Sequence, residues 1–230
     1  MNLRIFESAE ELTRGCARAI AQKAKGGQRF RIALSGGNTP GPIYEMLGSE
    51  PLRTELTDLE IDWIVGDERC VPLDDPQSNA GMLQRTLFRE GMSPRHRFLR
   101  FRTELGDPAL VAAAFEDDWR SHGVEKLDLA LQGMGEDGHT ASLFPGTPVL
   151  DVADRIAHEV FVPRLDSWRV TLTLPVLQSS RTIFVLAEGA SKREVLESIR
   201  KGNKDFPIMK VVDPVEDTWW FVDRAAVPES

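Results

Sequence analysis

The sequence predicts an α/β protein built on a mainly parallel, open sheet with helices packed on its faces, in a single domain that spans residues 1–230. Short apolar runs of strand length alternate with segments of helical periodicity along the whole chain. The connections are short, and no Ser/Gly/Pro-rich linker is long enough to separate two domains. The 230 residues, of which 41% are apolar and 28% charged, suffice to bury one sizeable core.

The first half of the chain predicts four helices and the strands between them. Ser8-Ala9-Glu10-Glu11 has the pattern of a capping box and opens a helix predicted over residues 8–25, which Gly26 and Gly27 end. A proline suits a first helical turn, so a second helix is predicted from Thr39 or Pro40 to Leu47. The remaining elements predicted here are strands 30–34, 61–65 and 97–101 and helices 78–90 and 107–122.

The second half predicts more strands and one long helix. The strands are 127–131, 156–162, 170–174, 182–187 and 219–222, and the helix is 191–201. Ligands of open parallel sheets bind at the carboxyl ends of the strands. The Gly-rich polar clusters of this chain follow strands, so the functional site is expected at that edge.

Charge and composition exclude several classes of function. The chain has 28 Lys and Arg against 36 Asp and Glu, a net charge of −8, which disfavours a nucleic-acid partner. No apolar stretch is long enough for a membrane span, and the N-terminus lacks the apolar core of a signal peptide. Two cysteines without CxxC spacing and four histidines without ligand spacing predict no disulfide framework and no metal. We therefore expect a cytoplasmic protein without a cofactor. No heptad pattern calls for association, so a monomer is expected and an oligomer stays open.

The loop after strand 30–34 is a candidate phosphate cradle. In Ser35-Gly36-Gly37-Asn38-Thr39, two glycines let backbone N–H groups approach a ligand, and the following helix N-terminus favours an anion. The Ser35 and Thr39 hydroxyls would add donors. A tight strand-to-helix turn that merely needs glycine explains the spacing equally well, and no Walker motif is present.

The loop after strand 127–131 is a candidate catalytic loop. Gly133-Met134-Gly135-Glu136-Asp137-Gly138 fits GxGxxG, but no long helix follows and no acidic residue ends the next strand, so a dinucleotide is not expected. His139 can accept a proton near neutral pH, and Asp137 can orient it. A surface histidine without a role is the alternative for an isolated residue; the adjacent carboxylate and glycines favour a general base.

Further charged residues lie at the ends of predicted elements. Arg69 can bind a phosphate or carboxylate through its guanidinium, and Asp67 can bind hydroxyls or take part in acid–base chemistry. Arg169 and Lys192 are additional cations for an anionic ligand. A serine nucleophile at Ser35 or Ser142 lacks the GxSxG context. Together the residues indicate an enzyme or binding protein for a small phosphorylated molecule.

At these residues the sequence resembles the glucosamine-6-phosphate isomerase/6-phosphogluconolactonase family, and within it the lactonase branch. The motifs that carry the resemblance occur in the family's order, namely Leu34-Ser35-Gly36-Gly37-Asn38-Thr39-Pro40, Asp67-Glu68-Arg69-Cys70-Val71-Pro72, Ser78-Asn79, the run from Gly133 through Gly146, Arg169-Val170-Thr171-Leu172-Thr173-Leu174-Pro175 and Gly189-Ala190-Ser191-Lys192. They span nearly the whole chain.

The resemblance implies a Rossmann-like sheet without a dinucleotide and hydrolysis of 6-phospho-D-glucono-1,5-lactone to 6-phospho-D-gluconate, a step of the oxidative pentose phosphate pathway. His139 would activate the attacking water and Asp137 would orient its imidazole. The substrate would be bound by Ser35, Gly36, Gly37, Thr39, Asp67, Arg69, Arg169 and Lys192.

Two other functions stay open at this point. The sister activity, isomerisation with deamination of glucosamine 6-phosphate, goes with a DGHIAFNEP-like loop that places a glutamate five positions after the histidine. Here that position is Phe144, which favours the hydrolase. A non-catalytic sugar-phosphate-binding protein would need a damaged base or an attached DNA-binding module, and neither is visible.

Overall fold

A computed structural model describes residues 1–26 and 28–227. The strands in these residues are β1 Asn2–Phe6, β2 Arg29–Leu34, β3 Glu60–Val65, β4 Asp67–Arg69, β5 His96–Leu99, β6 Leu129–Gly133, β7 Ala157–Val162, β8 Ser167–Leu172, β9 Thr182–Ala187 and β10 Thr218–Asp223. The helices are α1 Ala9–Ala24, α2 Pro40–Leu47, α3 Leu52–Thr57, α4 Asn79–Arg85, α5 Pro108–Ser121, α6 Leu174–Gln178, α7 Arg193–Arg200 and α8 Pro207–Val212.

The main sheet has seven strands in the order β1-β10-β9-β6-β2-β3-β5, and every neighbouring pair is parallel. The central strands are almost wholly buried, as in β9, because helices cover both faces of the sheet. Edge strand β1 instead exposes Leu3 and Ile5. The predicted mainly parallel, helix-covered α/β fold is confirmed.

A second sheet of three antiparallel strands, ordered β4-β8-β7, stands beside the end of β3. The chain enters it directly after β3, since only Gly66 separates β3 from β4. In its register Asp67 lies opposite Thr171 and Arg69 lies opposite Arg169. Strands 156–162 and 170–174 were predicted at nearly the right places, but the sequence does not show that they form a sheet of their own.

The predicted first helix is confirmed together with its cap. The Ser8 hydroxyl accepts from the Glu11 backbone N–H at 3.2 Å, while the Glu11 carboxylate accepts from the N–H of Glu7 instead of that of the cap residue. The helix ends at Ala24, with Lys25 as its C-cap. Of the two glycines predicted to end it, Gly27 lies outside the described residues.

Several predicted bounds are wrong by a few residues. The helix predicted over 78–90 stops at Arg85, because the Thr86 hydroxyl donates to the Met82 carbonyl and the Phe88 N–H bonds back five residues to Leu83. The strand predicted over residues 170–174 runs from Ser167 to Leu172 instead, and α6 begins at Leu174 with a proline in its first turn. The other shifts, such as β6 and β5, are of one or two residues.

One continuous cluster of buried apolar side chains holds the molecule together. Its largest fully buried members come from both halves of the chain, for example Trp63 on β3 and Trp220 on β10. In the described part of the chain no helix is long and apolar enough to cross a bilayer. The rigid sheet leaves its loops free to form a site at the carboxyl ends of the strands.

Candidate active site

A cleft of about 420 Å³ opens at the carboxyl ends of β2, β6 and β9, next to the small sheet. Such a volume suits a phosphorylated monosaccharide. The predicted site residues that line it are Ser35, Gly36, Gly37, Thr39, Asp67, Arg69, His139, Arg169 and Lys192. Asp137 lies behind His139. The structure therefore brings together residues that are up to 157 positions apart in the sequence.

His139 and Asp137 form a hydrogen-bonded pair. The imidazole Nδ1 lies 2.5 Å from Asp137 Oδ1, which also accepts from the backbone N–H of His139 at 3.2 Å. With Nδ1 protonated, Nε2 carries the lone pair. None of the described residues forms a hydrogen bond with Nε2, so this nitrogen is free to accept a proton from a molecule in the cleft.

The electrostatic setting keeps this imidazole neutral. Burial lowers the pKa of His139 below its usual value and outweighs the carboxylates of Asp137 and Asp67, which raise it. Burial opposes ionisation of Asp137, but the His139 hydrogen bond and the Arg164 charge outweigh it, so the pKa of Asp137 is lowered overall. At neutral pH the pair is a neutral imidazole beside a carboxylate, as a general base requires.

Two glycines let the loop fold this tightly. A Cβ on Gly135 would stand 2.0 Å from His139 Nδ1 and 2.8 Å from Asp137 Oδ1, so only glycine leaves room for the imidazole. Gly138 has a φ of +72°, and a Cβ there would meet the Phe206 ring at 2.4 Å. Gly135 thus makes room for the His–Asp pair, and Gly138 lets the loop pass close to Phe206. That the loop is catalytic stays a prediction.

The Ser35–Thr39 loop presents backbone donors to the cleft. Gly36 lies so close to Asn79 that a Cβ would be 2.0 Å from the amide oxygen, and Gly37 has a φ of +104°. None of the N–H groups of residues 36–39 donates to an acceptor in the described part of the chain. Helix α2 begins immediately afterwards, at Pro40. Free amides at a helix start form a site that favours an anion.

The Ser35 hydroxyl has a structural part in this loop. It accepts from the Gly133 N–H at 3.1 Å and donates to the Gly36 carbonyl at 3.2 Å, and so ties the ends of β2 and β6 together. Ser35 is only 8% exposed. The loop can therefore offer a ligand its amides more readily than this hydroxyl.

Arg69 and Arg169 face each other across the β4–β8 ladder. Arg69 Nη1 donates to the Gln77 carbonyl at 2.6 Å, and the buried Nε of both arginines has no hydrogen-bond partner among the described residues. Burial and the neighbouring Arg69 lower the pKa of Arg169. Like charges held together and partly unpaired are stabilised when an anion binds between them.

Asp67 is held from two sides. Its carboxylate accepts from the Ser142 hydroxyl at 2.7 Å and from the Asn79 amide at 3.4 Å, and it is 4% exposed. The adjacent Glu68 points away from the cleft, where it accepts from the backbone N–H groups of Asn79 and Ala80. Of the two acids at this strand end, only Asp67 lines the cleft.

Lys192 reaches the cleft from the loop that follows β9. Gly189 has a φ of +87°, and its N–H donates to the Asp223 carboxylate at 2.9 Å. Asp223 ends β10, so this bond fixes the loop to the neighbouring strand. The cleft therefore has cations on its opposite sides, from the small sheet and from the β9 loop.

The sequence and the fold both relate the chain to known proteins. A family model described as glucosamine-6-phosphate isomerases/6-phosphogluconolactonase matches residues 6–220. The chain belongs to this family.

Solved proteins named for either activity share the fold of this chain. A 6-phosphogluconolactonase from Synechocystis sp. is 35% identical over 225 residues, which cover 94% of this chain and 89% of the relative. The structure of the 6-phosphogluconolactonase from Trypanosoma brucei is 25% identical, with a TM-score of 0.84 and coverage of 98% and 97%. A monomeric glucosamine-6-phosphate deaminase, 24% identical with coverage of 98% of each chain and a TM-score of 0.82, shows the same fold.

Two side chains contact the His–Asp pair in ways that the sequence did not predict. Phe144 stacks on the His139 ring with centroids 4.2 Å apart, and Arg164 Nη2 pairs with Asp137 Oδ2 at 2.6 Å. The spacing from His139 had singled out Phe144 only by comparison with a deaminase loop. Nothing local marks Arg164, because the β7–β8 turn brings it to the site.

No group of three or more His, Cys, Asp or Glu side chains that could hold a metal ion occurs in residues 1–26 and 28–227. Glu188 also lines the cleft. Asp67, which lines it, and Asp137, behind His139, are already engaged with Ser142, His139 and Arg164. That the protein needs no metal or cofactor stays a prediction.

Proposed function

We propose that the chain hydrolyses 6-phospho-D-glucono-1,5-lactone to 6-phospho-D-gluconate, with His139 as general base. The observation that carries the proposal is an imidazole whose Nδ1 is held by Asp137 and whose Nε2 has no partner among the described residues. It lies in a cleft that Arg69, Arg169 and Lys192 help to line, and burial lowers the pKa of His139, which agrees with a base. Relatives named 6-phosphogluconolactonase that match nearly the whole chain support the choice of substrate.

The chemistry needs one base and one positioned water. Nε2 takes a proton from water as its oxygen attacks the lactone carbonyl C1, which gives a tetrahedral intermediate. The bond between C1 and the ring oxygen then breaks, and the imidazolium returns the proton to that oxygen, which becomes the 5-hydroxyl. Asp137 stabilises the imidazolium between the two transfers. A lactone is an activated ester, so no covalent intermediate is required.

The phosphate is assigned to the cationic part of the cleft. Arg69, Arg169 and Lys192 supply charge, and the free amides of Gly36 and Gly37 supply backbone donors. Asp67, fixed by Ser142, is placed to accept from a sugar hydroxyl. With the phosphate held at one end, the lactone carbonyl can lie next to His139.

Phe144 favours the hydrolase over the deaminase. It occupies the position at which the deaminase-like loop has a glutamate, and it stacks on the imidazole face. An apolar ring there cannot donate or accept a proton. The cytoplasmic location and the monomeric state stay predictions.

The decisive experiment measures two products with the same protein. Freshly generated lactone is followed against its spontaneous hydrolysis, and ammonia release is followed with glucosamine 6-phosphate. We expect lactone hydrolysis and no ammonia. His139→Ala should lower kcat by about 10²–10⁴-fold, whereas His122→Ala, at the end of α5, should leave it unchanged. Ammonia release without lactone hydrolysis would overturn the proposal.

A further inference from the structure

Arg164 lies in the turn between β7 and β8 and contacts two members of the candidate site. Its Nη2 is 2.6 Å from Asp137 Oδ2, and its guanidinium carbon lies 5.0 Å from the centroid of the Phe144 ring. Phe144 in turn stacks on His139, which bonds to Asp137 Oδ1. Arg164, Asp137, His139 and Phe144 thus form a closed ring of contacts, in which each side chain touches two of the others.

This ring constrains the imidazole in two directions. The two oxygens of Asp137 are divided between His139 and Arg164, so the carboxylate cannot rotate without losing a charge-assisted contact. Phe144, with Arg164 over its ring, supports one face of the imidazole. An imidazole that is bonded at Nδ1 and stacked against an aromatic ring has a fixed orientation, so its Nε2 points in a constant direction.

Arg164 differs from the other arginines of the region in where it points. Arg69 and Arg169 line the cleft, whereas Arg164 is not among the lining residues and its guanidinium is taken up by Asp137 and Phe144. Its side chain remains 51% exposed. Arg164 is thus engaged with the residues behind the cleft, whereas Arg69 and Arg169 line the cleft itself.

We propose that Arg164 is a positioning residue: by holding Asp137 and Phe144 together it fixes the plane and the tautomer of His139. The kinetic part of this inference rests on the proposed hydrolysis. The structural part, which concerns the orientation and protonation of the His139 ring, does not depend on the proposed hydrolysis.

The charge of Arg164 adds a measurable consequence. The charged groups that act on His139 are the carboxylates of Asp137, on its own loop, and Asp67, on β4, and the guanidinium of Arg164, from the turn. The Arg169 guanidinium lies over the Phe144 ring, 5.6 Å from its centroid. The carboxylates raise the pKa of His139 and Arg164 lowers it. Removal of the Arg164 charge should therefore raise the pKa of His139.

The test compares Arg164→Gln with the wild type and with the control Arg181→Gln. Arg181 directly precedes β9, at the opposite end of the strands from the cleft, and it is 73% exposed and paired with Asp128. In Arg164→Gln we expect kcat for the lactone to fall about 10–100-fold with little change in KM. The acid limb of the pH profile should move to higher pH. Arg181→Gln should change neither.

Two further measurements separate the possible outcomes. NMR titration of the His139 ring without substrate, assigned by His139→Gln, should show the raised pKa in Arg164→Gln even if the protein hydrolyses no lactone. Arg164→Lys keeps the charge but not the planar contact with Phe144, so its titration should match the wild type while its kcat lies between the other two. This variant carries the test if Arg164→Gln does not fold.

Two results would overturn the inference. Unchanged kcat and an unchanged His139 titration in Arg164→Gln would show that the ring of contacts does not position the imidazole. A raised KM for the phosphorylated lactone alone, with kcat and titration unchanged, would make Arg164 a substrate ligand instead. If the wild type lacks lactonase activity, the proposed function fails, and the NMR titration still decides the part of Arg164.

Discussion

Replacement of Gly135 by alanine should remove activity without unfolding the protein. The new Cβ would lie 2.0 Å from His139 Nδ1, and ordinary contact begins at 3.4 Å, so the imidazole has to retreat by more than 1 Å. Gly135 has no left-handed φ, so an alanine backbone is allowed there. The clash therefore falls on the His139–Asp137 pair and not on the main chain.

A misplacement of about 1 Å costs on the order of 10² in rate when a catalytic group must meet the reacting atom. We expect kcat of Gly135→Ala to fall by about 100-fold or more. KM for the lactone should stay near the wild-type value, because the cations of the cleft are untouched. The assay follows freshly prepared lactone with the spontaneous rate subtracted, and a thermal melt checks the fold.

Gly146→Ala is the matched control on the same segment. Gly146 has a φ of +74°, but nothing lies within 4 Å of a Cβ there. This change should cost about 1–2 kcal/mol of stability through backbone strain and leave kcat unchanged. Wild-type turnover in Gly135→Ala would refute the account of the loop, since the imidazole would then not need the place that glycine leaves it.

Two further outcomes are expected from charged residues. Lys192→Ala should raise KM for the phosphorylated lactone by about 10–100-fold, which corresponds to the loss of one charge-assisted hydrogen bond. KM for an unphosphorylated lactone should not change, and Lys201→Ala, at an exposed lysine, is the control. Equal effects on the two lactones would show that Lys192 does not bind the phosphate. Asp62→Asn should lower the free energy of unfolding by about 3–5 kcal/mol, because the fully buried Asp62 carboxylate accepts from the Arg97 guanidinium at 2.5 and 2.7 Å. Urea unfolding checks this against the exposed Glu104→Gln, which should cost less than about 1 kcal/mol, and equal midpoints for the two variants would contradict it.

Local patterns predicted the elements on which the site stands. One capping-box pattern predicted α1, a proline in the first turn predicted α5, and apolar runs predicted the central strands, each within a few residues. Strand β1 went unpredicted, because an edge strand with Leu3 and Ile5 exposed has no buried face to give it a pattern. Helix α4 was predicted too long, because side-chain and backbone bonds after Arg85 interrupt an otherwise helical sequence.

The candidate site likewise has one part that the sequence indicates and one part that it does not. His139 and Asp137 are two residues apart, so a short loop suffices to pair them and the sequence indicates the pair directly. Arg69 and Arg169 were predicted as separate cations. Their direct opposition depends on the register of an antiparallel ladder, which no local pattern in either strand reveals.

By itself the sequence determined the alternation of strands and helices, the Gly-rich loops at strand ends and the pairing of His139 with Asp137, because these depend on neighbours along the chain. Only the tertiary structure decided that a small antiparallel sheet stands beside the main one and turns Arg164 onto Asp137. The physical reason is range: hydrogen-bonded loops are specified within a few residues, whereas an ion pair between residues 27 positions apart exists only when two loops are packed together.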